Sequence, residues 1–253
     1  KEAADSLVDE AIERGFVDEE EFDDEALRAI CQRRARALSL PETFDQSFTG
    51  QTRTDEQLSG NTEYTRCTLT NVTAAAATQF NIKLQGTSMT LGGEVTLDET
   101  HKVNIVGTGN VIKVNSNMTI NPGALFFNTG AELTFEFPSG GQNPTSVTFA
   151  DGVLLDLEKN SKLTFKGPGR VVVGNVTINF KGEKTVTQID FVEAVVSRAY
   201  LVVTDNAQLT VADGKTLRCT GVGDVLVTNL GKIAPGTNAS MLFGADAVGE
   251  GLT

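Results

Sequence analysis

Tryptophan is absent from this sequence, and tyrosine occurs only as Tyr64 and Tyr200. Saccharide-binding surfaces favour flat amphipathic aromatics, so this scarcity weighs against one. The single histidine, His101, excludes any catalytic or metal site that needs two, and no nucleophile stands at a telling spacing from it. It lies in Asp98-Glu99-Thr100-His101-Lys102, which reads as a solvated turn. Cys31, Cys67 and Cys219 are too few and too far apart for a disulfide framework or a zinc site. One pair stays open, with buried free thiols the expected state. No run approaches the ~20 apolar residues of a membrane helix. Lys1 opens the chain without Met or a signal-type apolar stretch, as expected of a processed or trimmed protein; a leader removed earlier would leave no trace.

Basic charge is also short: 21 Lys and Arg stand against 33 Asp and Glu, a net charge of −12. Residues 1–25 hold twelve acids and two bases, a local −10. Residues 26–62 come to +1 (five Arg, four acids) and residues 63–253 to −3 (fourteen basic, seventeen acidic). The acidity is therefore a property of one end, and no basic stripe exists to neutralise phosphates, which excludes nucleic acid as an expected partner.

Residues 1–38 read as a helical acidic arm. Leu7, Val8, Ala11 and Ile12 fall at helical spacing, with Gly15 as a stop. A second helix carries Ala26, Leu27, Ile30 and Cys31, with Asp23, Asp24 and Glu25 at its start and Arg33, Arg34 and Arg36 at its end, as the helix dipole prefers. Arg33-Arg34-Ala35-Arg36 also fits a furin-type cleavage pattern, but a basic helix end accounts for it. Helices this short need something to pack against. Residues 39–62, polar and without periodicity, read as an extended linker or surface strap.

From residue 63 onward the chain repeats itself. Val103-Asn104-Ile105-Val106-Gly107-Thr108-Gly109-Asn110-Val111-Ile112, Leu163-Thr164-Phe165-Lys166-Gly167-Pro168-Gly169-Arg170-Val171-Val172 and Leu217-Arg218-Cys219-Thr220-Gly221-Val222-Gly223-Asp224-Val225-Leu226 are three copies of one phrase. Asn115, Asn175 and Asn229 follow at one offset. A second phrase, apolar-Thr-apolar and then a turn, recurs at Met118-Thr119-Ile120, Val147-Thr148-Phe149 and Leu209-Thr210-Val211, with an echo at Val176-Thr177-Ile178. Many spacings are 29–30 residues or near-multiples, such as Met118 to Val147, Leu133 to Leu163 and Gly107 to Gly167. Short strands repeating at that length predict a mainly β fold: a parallel, right-handed β-helix (β-solenoid) over residues 63–253, with coils of about 30 residues. An antiparallel sandwich explains short strands but not the repeat. Alternation places Val147, Phe149, Leu163, Phe165, Val171, Val173, Val176, Ile178, Leu209, Val211 and Leu217 inside one core.

The phrases VNIVGTGNVIKVNSNMTINPGALFF and LTFKGPGRVVVGNVTINFKG resemble bacterial and phage β-helix surface proteins: adhesin passengers, fibre segments and repeat-rich envelope proteins. The resemblance covers residues 63–253 at the level of pattern. It implies a fold and a setting outside the cell, on a cell surface or on a virion, and transfers no functional residue.

No catalytic, cofactor-binding or metal-binding residue is nominated. Gly107-Thr108-Gly109 and its counterparts lack the third glycine and crossover helix of a dinucleotide fingerprint, and read as corners. Asp151, Asp156, Glu158, Asp190, Glu193, Asp205, Asp213 and Asp224 are scattered; Asp151 and Asp213 precede Gly at equivalent positions and read as turn formers. The calcium phrase Gly-Gly-x-Gly-x-Asp is missing. Asn71, Asn117, Asn175 and Asn238 head N-glycosylation patterns that an Asn- and Thr-rich sequence produces by chance. The expected function is a non-enzymatic structural or adhesive module, a subunit of a fibre, filament, surface layer or virion appendage. It would assemble as a homo-oligomer through its arm and solenoid ends, with a surface polysaccharide or receptor as a further partner. Lys159, Lys162, Lys166 and Arg170 form the densest basic counter-surface for the arm. The alternative is a carbohydrate-active β-helix of the tailspike or lyase kind, which needs charged side chains converging in a groove.

Overall fold

Alternating Val, Ile, Leu and Phe with Thr, Asn and Lys makes strands, and strands account for all the regular structure seen. A computed structural model describes residues 44–253 apart from 76, 140–143, 187–192, 245–246 and 251–253. The expected helical arm (1–38), the start of the linker, Cys31 and Asp190 lie outside the described residues. Within them are twenty-six strands, β1 to β26 in chain order, and no helix.

Successive strands are dealt in turn to three rows. The first holds β1 (Gln46–Thr49), β4 (Gly60–Thr65), β6 (Phe80–Gln85), β9 (His101–Val106) and β12 (Leu125–Phe127), then β15 (Leu154–Leu157), β18 (Val176–Lys181), the first half of β23 (Thr216–Val227) and β25 (Ser240–Phe243). The second holds β2 (Thr52–Thr54), β5 (Thr68–Ala74), β7 (Ser88–Leu91), β10 (Asn110–Lys113), β13 (Glu132–Glu136), β16 (Lys162–Lys166), β21 (Ala199–Thr204), the second half of β23 and β26 (Ala247–Glu250). The third holds β8 (Val95–Leu97), β11 (Met118–Ile120), β14 (Ser146–Phe149), β17 (Arg170–Val173), β22 (Gln208–Val211) and β24 (Lys232–Pro235), while β3 (Gln57–Leu58) pairs with the end of β5. Every pairing within these rows is parallel, and no sheet closes into a barrel. β19 (Glu183–Val186) and β20 (Glu193–Ser197) form the one antiparallel strand pair described. A parallel ladder of this extent excludes the antiparallel sandwich.

Alternation then builds the interior. Phe80, Ile82 and Leu84 of β6 are buried while Asn81 and Lys83 between them are half-exposed, and the same period of two runs through most strands. In register, Leu133 stacks on Leu163, Leu201 and Val225, and Phe135 on Phe165 and Val203. All buried apolar side chains join one cluster, which includes the eleven residues expected to point inward.

The uniform period of about 30 residues needs correction. Gln46 pairs with Thr62 at a step of 16, Thr62 with Ile82 at 20, Val95 with Met118 at 23 and Leu201 with Val225 at 24. Met118 to Val147 and Leu133 to Leu163 are true steps of 29 and 30, lengthened by the loop between β13 and β14. Val171 to Leu209 is a step of 38, which contains the β19–β20 insertion. The repeated phrases are also out of phase. Gly107 and Gly221 turn from the first row to the second, whereas Gly167 turns from the second to the third. Met118, Val147 and Leu209 share the third row, but Val176 lies in the first.

Close packing explains two of the three Gly-x-Gly copies. A Cβ on Gly169 would lie 2.0 Å from the Phe137 ring, and one on Gly223 would lie 2.2 Å from that of Phe180. Gly167 and Gly221, with φ of +93° and +88°, lie against the carbonyl oxygens of the same two phenylalanines. Each phrase is thus a backbone cradle for an aromatic ring of the preceding round. Within the stretch expected as an extended linker or surface strap (39–62), residues 46–62 supply β1 to β3 and the start of β4, in parallel register with the following strands.

Candidate functional surface

Outward-facing side chains form short ladders that consume their own polar groups. Asn104 donates to Asn81 at 2.6 Å, Asn179 donates to Asp156 at 2.9 Å, and Thr220 donates to Asn179 at 2.6 Å. Lys83 pairs with Glu63 at 2.7 Å and Lys162 with Glu132 at 3.2 Å. Thr52, Thr68 and Ser88 align in one column, and Thr54 pairs with Thr70 in the next.

Among the described residues the scattered acids do not converge. Asp151 accepts from the Asn175 amide at 2.9 Å, and Asp213 accepts from the Thr237 amide at 2.8 Å, so both serve turns as expected. An ion pair to Lys215, with the Asn175 bond behind it, holds the Asp151 carboxyl below the usual range. Asp156 lies 3.6 Å from Lys181, Asp224 pairs with Arg198, and Asp205 accepts from Asn229 at 3.3 Å. Of the basic cluster, Lys159 is engaged by Glu183 and Lys162 by Glu132.

His101 departs from the reading of a solvated turn. It opens β9 on an inward position, is 8% exposed, and meets the Phe80 ring edge-on at 5.0 Å. Its Nδ1 lies 2.8 Å from Asp98, while the buried Nε2 has no partner. Burial pushes the Asp98 carboxyl up, but hydrogen bonds from Thr100 and His101 outweigh it and hold it at about 2. The signal lay in the register: His101 stands in the column of Phe80.

Two buried polar groups escaped the sequence reading. Asn110, 1% exposed, accepts from the Thr87 amide at 3.2 Å and donates to the carbonyls of Val106, Gly107 and Glu132 at 3.1–3.2 Å. Thr87 in turn donates to the Tyr64 carbonyl at 2.8 Å and accepts from the Cys67 amide at 3.2 Å. This column supplies partners to backbone groups at the first-to-second corner, among them the amides of Thr87 and Cys67. At the first round, Arg53 stands in register with the inward Leu69 and Met89. Its Nε donates to Glu56 at 2.7 Å, Glu56 accepts from the Tyr64 hydroxyl at 2.7 Å, and the guanidinium lies 3.9 Å over Phe48. Burial, with Glu56 alongside, pushes the Tyr64 phenol above its ordinary range. Here the apolar column ends in a charged network. Cys67 and Cys219 are buried and unpaired, and burial pushes the Cys219 thiol up to about 12.

The first row has one interruption: no backbone pairing joins β12 to β15. Phe126 on β12 and Leu154 on β15 are exposed at 41% and 54%. At one end of this break lies an open depression of about 520 Å³ lined by Val106, Phe127, Asn128, Thr129 and Glu158. It supplies one carboxylate, where glycoside hydrolysis uses two. Among the described residues no group of three or more His, Cys, Asp or Glu is placed to hold a metal, and no helix is long and apolar enough to cross a membrane. Comparison with known proteins finds no matching family model, curated protein or solved structure.

Proposed function

We propose that residues 44–253 form a parallel, right-handed β-solenoid that serves as a non-enzymatic structural or adhesive module on a cell or virion surface. The observation that carries this reading is the in-register stacking of three strand rows over one unbroken apolar core. Handedness follows from the rule for parallel crossovers. Nine strands in the second row at ~4.8 Å spacing give a rod about 40 Å tall. Its outward ladders bond to one another, which suits a spacer or a subunit of a fibre, filament or surface layer better than a reaction centre.

Assembly is assigned to residues 1–38 and the ends of the stack. Docking of the acidic arm on Lys159, Lys162, Lys166 and Arg170 would displace exposed ion pairs worth ~0–1 kcal/mol each, and should weaken with salt. Negative-stain images of the full chain should show fibres or discrete oligomers. Deleting residues 1–38 should lower the mass seen by light scattering, with the full chain following suit as salt rises. Unchanged assembly after deletion refutes the role of the arm. Turnover of a polysaccharide that one Asp or Glu substitution abolishes refutes the non-enzymatic reading.

A further inference from the structure

We propose that the β19–β20 ribbon is a lateral docking arm for a second copy of this chain, with β20 pairing antiparallel to its counterpart across a two-fold axis. This contact would form without residues 1–38 and without the ends invoked above.

The ribbon is an insertion that the stack does not need. Leu163 reaches Leu201 in 38 residues, whereas the next round, Leu201 to Val225, closes in 24. Both rows run on without a break on either side of it, since β16 pairs directly with β21 and β18 with β23. Yet its root is held firmly. The Glu183 amide donates to Ser197 Oγ at 3.1 Å, Glu183 pairs with Lys159, and Arg198 pairs with Asp224. Gly182 is pressed so close to the body that a Cβ would lie 2.2 Å from the Val222 carbonyl oxygen.

Among the described residues beyond this root, one run is exposed. Ala194, Val195 and Val196 are exposed in succession, the two valines at 40% and 53%. Ser197 pairs with Glu183 and Val195 with Lys184, so Val196 is the extra residue of a β-bulge, which turns neighbouring side chains outward together. A two-stranded ribbon is marginal alone, and three or more strands are needed for independent stability. Its two edges differ. β19 begins with the charged pair Glu183 and Lys184, a common guard against strand addition. β20 opens with Glu193 and then carries no charge from Ala194 to Ser197. Antiparallel self-pairing there opposes valine to valine and brings no like charges together, as an isologous contact requires. The product is a four-stranded sheet shared by two copies.

Sedimentation velocity on the full chain at high salt, where assembly through residues 1–38 is weakened, should show a dimer. Val196→Lys should raise its dissociation constant about tenfold or more, with unchanged circular dichroism. Leu230→Lys, at a residue 84% exposed on another corner, should leave the constant as it was. Val195→Cys should give a symmetric disulfide-linked dimer on mild oxidation, because the described native thiols are buried. Replacing residues 183–197 by a short Gly-Ser link should yield a folded monomer. A monomeric unmodified chain, or a Val196→Lys dimer of unchanged affinity, overturns the proposal. Dissociation by Val196→Lys without the Val195→Cys cross-link overturns the strand-to-strand geometry. Deletion of residues 1–38 should leave this dimer intact, and its loss on that deletion would assign the contact to the arm instead.

Discussion

Replacing Asn110 by leucine tests whether the buried corner column holds neighbouring rounds together. The substitution keeps the branched outline and removes the bond accepted from Thr87 and those that the two Nδ2 hydrogens share among three carbonyls. Each intramolecular hydrogen bond is worth a net ~0.5–1.5 kcal/mol, and a buried donor left unmade costs ~1–3 kcal/mol. The Thr87 amide becomes such a donor, while the three carbonyls keep a second lone pair for other partners. The expected loss is therefore about 3–5 kcal/mol after the gain from burying an apolar side chain. For a domain of this size that lowers Tm by about 10 °C. Urea unfolding followed by far-ultraviolet circular dichroism gives the global value, and hydrogen exchange at the Thr87 amide gives the local one. Asn110→Asp adds a pH signature. Its carboxyl would keep the bond from Thr87 but face three carbonyl oxygens, so its folded pKa rises above the unfolded value of ~3.9. A raised acid loses stability as pH increases past the unfolded pKa, so this variant should be closer to the unmodified protein at pH 4 than at pH 7. An Asn110→Leu protein within about 0.5 kcal/mol of the original, with Thr87 exchange unchanged, would refute the role given to the column.

Phe165, 1% exposed and stacked on Phe135 at 5.7 Å, should lose ~3–5 kcal/mol on replacement by alanine, whereas Leu154→Ala should stay within about 0.5 kcal/mol; equal effects in urea unfolding would show the register misread. Gly169→Ala should cost at least ~2 kcal/mol through its clash with Phe137, and Phe137→Ala in the same chain should make the change at Gly169 cheaper, as a double-mutant cycle would reveal. Asp98 has a folded pKa of about 2, below its unfolded value, so its contribution is present above pH ~4 and lost as pH falls through 2. Asp98→Asn should flatten the acid limb of the stability curve, and an unchanged limb would contradict this. Cys219 should react with a thiol reagent only after unfolding, since burial disfavours its thiolate; labelling as fast as a free thiol would place it at the surface.

Residue alternation alone determined which side chains face inward. The period of two is local, and a slip of one residue would expose a whole strand's apolar set, so Val147, Phe165 and Leu209 were legible without coordinates. The strand-rich class was legible for the same reason. Tertiary structure alone decided the phase of the repeats. Any corner that wraps a ring can use Gly-x-Gly, so Gly167 and Gly221 resemble each other while turning between different rows. The length of each round depended on insertions that leave the ladder intact, such as the β19–β20 ribbon, which spacing along the chain cannot separate from the repeat. Strands β1 to β3 passed for a linker because their interior is closed by Arg53, Glu56 and Tyr64 in place of an apolar column. His101 and Asn110 look like surface residues in a polar run. Their burial is set by partners 21 to 23 residues away, Phe80 for one and Thr87 for the other. Only the stacking of one round on the next brings those partners into contact.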